Sequence, residues 1–157
     1  TVTAGTFNST IGSSASLNHD AEKYAWHRFA SSVTDVSSNA SIDFDSVIYQ
    51  GSRTTESAGI VTVLDAGLYW VSASVSANDT GGTDIDFNLR VNSTNVNGTR
   101  LYVNPVSGAV LYPNCAGSWA VKLSANDTVH IYGTGKYYGS ANDSMTFFSG
   151  VRIGAKS

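Results

Sequence analysis

Residues 58–75 read AGIVTVLDAGLYWVSASV, and the second half of this stretch alternates cleanly. Tyr69, Val71, Ala73 and Val75 fall on one side, with Ser72, Ser74 and Ser76 on the other. Successive side chains of a strand point to opposite faces, so this is a strand with one face in a core and one in water. The same period recurs from Asp84 to Val91, where Ile85, Phe87, Leu89 and Val91 oppose Asp84, Asp86, Asn88 and Arg90. Trp119, Val121 and Leu123 repeat it, as do Val129 and Ile131, and the spacing of Met145, Phe147, Val151 and Ile153 predicts an inward set near the end. No stretch has a helical period.

Between these segments lie clusters of Gly, Asn, Asp and Ser: NDTGG at 78–82, NSTNVNG at 92–98, SAND at 124–127 and YGSAND at 138–143. Asn and Asp tolerate left-handed backbone angles and bond their own main chain, which makes these turns. GTGKYYG at 133–139 reads as a flexible aromatic loop. Many short strands, no helix and 2 prolines predict an all-β antiparallel sandwich or barrel. Residues 1–22 are Ser, Thr and Gly rich, with isolated Phe7, Ile11 and Leu17, and read as an extended arm before a domain spanning 23–157.

At 157 residues the chain can bury a core of its own without a metal or disulfide staple. Only 13% of residues are charged, about half the usual share, and the net charge is -3. Nine basic residues scattered along the chain cannot supply the phosphate contacts that nucleic-acid affinity rests on. No apolar run approaches the length of a membrane helix, and TVTAGTFNST lacks the basic and apolar regions of a secretory signal. Cys115 is the single cysteine, so an intrachain disulfide, a thiolate metal cluster and a CxxC pair are all excluded; a core position is its default.

Beyond periodicity, the stretch from Tyr24 to Ile153 resembles the globular head domain of the first complement component, within the tumour necrosis factor-like jelly-roll superfamily. The resemblance lies in order and spacing: an aromatic opening strand, YAWHRFA; a Phe-centred strand, SIDFDSVIYQ, with Ile42 and Phe44 inward; and the Gly-x-Tyr-aromatic block with Gly59, Gly67, Tyr69 and Trp70. SWAVKLSANDTVHIY follows, with Asn126 where the family has Gly and Asp127 keeping the acid, and FFSGVRI closes with Phe148 and Gly150 in place. By resemblance the fold is an antiparallel jelly-roll sandwich of about ten strands that trimerises with one sheet of each protomer around the threefold axis. The sequence departs from the family in having no collagen-like Gly-x-y repeat.

On this reading Trp70, outward on its strand, is an interface candidate together with Trp26, Tyr132 and Phe148, while Tyr102, Tyr112, Tyr137 and Tyr138 are candidates for exposed contact loops. Asp79, Asp84 and Asp86 are the weak candidates for calcium, which the family sometimes binds near its apex; the spacing is not that of an EF-hand, and no cofactor is otherwise expected.

Signatures of catalysis are missing. His19, His27 and His130 form no zinc pattern, no G-x-S-x-G elbow occurs, and a Cys115–His130 nucleophile pair lacks an orienting third group; His130 reads as a surface or interface histidine. Seven Asn-x-Ser/Thr sequons, at Asn8, Asn39, Asn78, Asn92, Asn97, Asn126 and Asn142, follow partly from composition.

The expectation is therefore a non-enzymatic trimeric protein of a virion surface or the extracellular space: a capsid decoration or fibre head that meets its capsid or fibre partner through the arm. The rival is a lectin-like module that binds host-surface glycans or receptors. Neither nucleic acid nor membrane insertion belongs to either reading.

Overall fold

A computed structural model describes residues 19–78, 84–104 and 112–155. The elements in chain order are α1 (His19–Lys23), β1 (Trp26–Phe29), β2 (Thr34–Ser41), β3 (Ser46–Gln50), β4 (Thr54–Ser57), β5 (Ile60–Val63) and β6 (Gly67–Ser76). They continue with β7 (Ile85–Val91), β8 (Thr94–Val103), β9 (Asn114–Leu123), β10 (Thr128–Tyr137) and β11 (Phe147–Ala155). The strands form two antiparallel sheets packed as a sandwich. One has five strands in the order β3-β1-β11-β6-β9; the other runs β4-β5-β10-β7-β8, with β2 also paired to β10. First and last strands are thus neighbours in the middle of one sheet, the crossed connectivity of a jelly roll.

Alternation explains the core. Tyr69, Val71, Ala73 and Val75 of β6 are buried against Ile85, Phe87 and Leu89 of β7 and Val129 and Ile131 of β10, as their spacing requires. The turn at 124–127 also follows its chemistry: Asn126 takes a φ of 68°, the left-handed geometry that Asn tolerates, and the Asp127 carboxylate accepts the Ser124 N–H at 2.7 Å.

Five expectations need correction. A short helix, α1, occupies part of the segment read as an arm, whose residues 1–18 lie outside the described residues. Ile42 and Phe44 are fully buried but lie between strands, where the chain crosses from β2 in one sheet to β3 in the other. The segment read as a loop at 133–139 is largely strand: Gly133 and Gly135 lie within β10, and Tyr137 ends that strand 1% exposed.

The last strand is out of phase with the reading, so Phe148 and Gly150 face inward while Phe147 and Val151 pair on the outer side. Trp26 and Phe148 are consequently core residues at 1% and 0% exposure, ring centroids 5.6 Å apart, and have no surface left to offer a partner. Gly150 sits opposite Trp26 in the register, and any side chain there would run into the indole. The Trp26 Nε1–H has no partner among the described residues. Burying an aromatic ring of this size is worth about 4–6 kcal/mol, against about 1–3 kcal/mol for one orphaned donor, so burial wins.

One charged pair lies within the sandwich. Arg28 of β1 meets Glu56 of β4 at 2.5 Å, both side chains under 10% exposed. Its Nε–H also donates to the Phe44 carbonyl at 2.9 Å and its Nη1 to Gln50 Oε1 at 3.2 Å, while the Glu56 carboxylate accepts the Gly59 N–H at 2.6 Å. Gly59 holds a φ of 78°, and a side chain on it would strike the Ile42 carbonyl.

Replacing Glu56 by Ala leaves a buried guanidinium unpaired and is expected to cost about 3–5 kcal/mol in urea denaturation. Gly150→Ala overpacks the Trp26 site and is expected to cost about 1–3 kcal/mol in the same assay.

Candidate functional site

The outer face of the five-stranded sheet divides into a greasy zone and a hydroxyl zone. In the first, Trp70 of β6 pairs across to Val151 of β11 on one side and Ala120 of β9 on the other. Trp70 is 46% exposed and Ile153, at the β11 bulge, 54%. The edge strand β3 adds Tyr49, beside His27 in the register, and carries Val47 and Ile48 along its rim, all three at least 40% exposed. Where α1 reaches this face, Ala21, Glu22, Ala25, Tyr49 and Val151 line an open groove of about 440 Å³, and the Tyr49 hydroxyl donates to the Glu22 carbonyl at 2.8 Å.

In the second zone Ser72 and Ser118 share a hydrogen bond at 2.7 Å. Ser74 Oγ donates to the Met145 carbonyl, and the Asn114 amide donates to Ser74 Oγ at 2.6 Å and Ser76 Oγ at 2.8 Å. This network and the 138–146 loop cover Ser74 and Ser76, which the alternation had placed in water; they are 5% and 0% exposed.

Of the four residues expected at an interface, only Trp70 lies on this face. Tyr132 projects from the six-stranded sheet, half-buried, beneath the Arg90 guanidinium at 3.8 Å and stacked on His130 at 5.9 Å. His130 is buried, not exposed, and loss of solvent, reinforced by Arg90, pulls its pKa down to about 4. Cys115 is half-buried on β9 of the other sheet, its thiol directed to the Val75 carbonyl at 3.6 Å and pushed up by burial to about 11. The sandwich thus separates the imagined Cys115–His130 pair, and neither group is tuned for its role: a nucleophilic thiol needs a lowered pKa and a general base one near neutrality.

The calcium candidates are likewise committed elsewhere. Asp86 takes a two-pronged hydrogen bond from Arg100 at 2.8 Å, which holds its carboxyl below the usual range, and Asp84 accepts from the Tyr102 hydroxyl at 2.8 Å. Asp79 lies outside the described residues, among which no group of three His, Cys, Asp or Glu side chains could hold a metal.

The expected contact tyrosines part company. Tyr137 is core. Tyr102, 42% exposed, has the Arg100 guanidinium 4.5 Å from its ring. Tyr112 and Tyr138 meet at one end of the sandwich, ring centroids 4.2 Å apart and tilted by 39°, with Tyr112 45% exposed. Sequence reasoning missed Tyr49, His27, Phe147 and Val151 as face residues. The available signal was the inward pair Phe148 and Gly150, which sets the phase of β11 and hence of the neighbouring β1.

No protein-family model matches this chain, and no curated protein matches it. Solved structures do. Eiger TNF from S. frugiperda superposes with a TM-score of 0.65 at 17% identity, over 85% of this chain and 94% of that one. Murine APRIL gives 0.63 at 17%, over 83% and 98%. The globular domain of zebrafish complement 1qA gives 0.64 at 14%, over 85% and 99%. The fold is the jelly roll shared by tumour necrosis factors and complement heads.

With its thiol pushed up to about 11, Cys115 is expected to react with a disulfide reagent at pH 8 at least about 10-fold more slowly than free cysteine, followed by release of the coloured thiolate.

Proposed function

We propose that this chain is the protomer of a non-enzymatic homotrimer acting as a recognition or adhesion module on an outer surface. The observation that carries the proposal is the zone around Trp70, Val151 and Ile153, continued by the exposed β3 edge. Monomers seldom leave a contiguous patch of this kind in water, because each buried square ångström is worth about 25 cal/mol. A face that meets an edge or face of the next copy around a rotation axis closes into a ring without leaving an open surface. The threefold choice comes from the resemblance to complement heads and from the shared jelly roll.

Within that reading the finer assignment is a virion surface protein, a capsid decoration or a fibre head attached through residues 1–22. It is supported by a surface low in charge and rich in Ser, Thr, Asn and Gly, and by a chain that folds without a disulfide. Among the described residues no helix is long and apolar enough to cross a membrane. The absence of catalysis is supported by a thiol and an imidazole shifted away from useful values and set on opposite sheets. One observation favours a second reading: the paired rings of Tyr112 and Tyr138, next to the Asn and Asp loop at 140–143, suit a glycan, with a ring for its apolar face and amides for its hydroxyls.

Sedimentation equilibrium at micromolar loading is expected to return three times the 16.5 kDa protomer mass, and Trp70→Glu to weaken association at least about 100-fold, near 2.7 kcal/mol. A stable monomer overturns the assembly. Co-sedimentation with capsids and silence on a glycan array support the virion assignment; specific glycan binding that Tyr112→Ala abolishes supports the second reading instead.

A further inference from the structure

We propose that His27 makes self-association of this chain pH-sensitive, protonation of its imidazole opposing assembly through the outer face of the five-stranded sheet. The inference rests on the assembly reading above.

His27 lies on that face one strand in from the β3 edge, in the row of Ser149 and Ser72. It lies on β1, opposite Ser149 of β11 on one side and Tyr49 of the edge strand on the other, and its ring is 5.6 Å from that of Phe147. The Nε2 atom is buried and has no hydrogen-bond partner among the described residues. A neutral imidazole can live with this by carrying its proton on Nδ1, which leaves only a desolvated lone pair at Nε2. The imidazolium cannot, since both nitrogens then carry N–H groups and one of them would be buried without an acceptor.

Among the described side chains, no charged group is hydrogen-bonded to the His27 Nε2. From Phe147 to Val151, β11 presents no titratable group; the next residue, Arg152, places its guanidinium 4.7 Å from the Tyr24 ring. On β3 the Tyr49 phenol is engaged with the Glu22 carbonyl, and Asp45 just before it is bound to the Ser31 N–H and hydroxyl. α1 contributes Glu22 and Lys23, together with His19 and Asp20, whose side chains lie outside the described ones; β6 presents Leu68, Trp70 and Ser72, and Lys122 of β9 pairs across to Leu68, with β6 and β11 between it and β1.

Loss of solvent already lowers the His27 pKa in the protomer. A second copy laid on the face removes more water and lowers it again. The proton therefore binds the free protomer better than the assembly, and by linkage association weakens as pH falls through the protomer's value and is restored as pH rises. Below that value each subunit must shed a proton to assemble, so three subunits lose up to about 1000-fold in the association constant over the first pH unit.

The test is sedimentation equilibrium of the full chain from pH 8 to pH 5, with far-ultraviolet circular dichroism at each pH. The fold readout separates this effect from His130, which lies on the other sheet and whose lowered pKa penalises folding in acid, not assembly. Trimers that dissociate in acid with the fold retained, and a dependence that flattens in His27→Phe and His27→Gln whatever their strength at pH 7.5, support the proposal. Wild type and variants dissociating in parallel, or a wild type indifferent to pH, overturns it and leaves the assembly standing. A monomer at pH 7.5 overturns both. Proton NMR titration of the His27 ring adds a measurement free of substitution: a midpoint equal in trimer and dilute protomer refutes the inference.

Discussion

Arg28 is a cation held between two sheets, and β1, β3, β4 and the segment crossing between the sheets meet at it. It ties β1 to Glu56 of β4 in the opposite sheet, to the crossing segment through the Phe44 carbonyl, and to Gln50 of β3. Taking both charges out of water costs several kcal/mol each, and only a full set of partners repays it. The partners are drawn from three separate stretches of chain, so the pair is satisfied only when the strands are in register. Its net worth against a well-packed apolar pair is small; its effect is to penalise misregistered arrangements, because any slip leaves a bare charge inside.

The same sheet faces two media. Its inner side is filled by Trp26, Tyr69, Val71 and Phe148, with Gly150 leaving room for the indole. Its outer side carries Trp70, Val151 and Tyr49 at one end and serine hydroxyls at the other. Packing alone accounts for the inner set. For the outer set the described residues of the protomer provide no full cover, and the proposed assembly would supply it. The six-stranded sheet differs, its outer polar groups being largely paired within the protomer: Arg100 with Asp86, Tyr102 with Asp84, Arg90 over Tyr132.

Much of the sandwich was legible where strands have a clear period of two. The inward residues of β6, β7 and β10 follow from alternation alone, and the left-handed turn at Asn126 follows from residue type. Reading failed where that period was ambiguous. In FFSGVRI two adjacent phenylalanines permit either phase, and counting apolar residues chose the wrong one because the inward partner at 150 is a glycine. Trp26 looks like an interface residue and Tyr137 like an exposed contact residue because their rings carry polar atoms, yet the free energy of burying the rings outweighs the cost of those atoms. Ile42 and Phe44 read as strand because buried residues two apart imitate one, although they line a crossing.

By itself the amino-acid order determined that this is an all-β domain, which strands have a buried side and where several turns fall, since all of these depend on neighbours a few residues apart. It also determined that a disulfide within these residues is excluded, a matter of counting. Only the tertiary structure decided which aromatic residues face out, that His27, Tyr49, Val151 and Trp70 share one surface, and that Cys115 and His130 do not. Those are relations between segments that lie far apart along the chain, set by sheet order and register, and no local pattern encodes them.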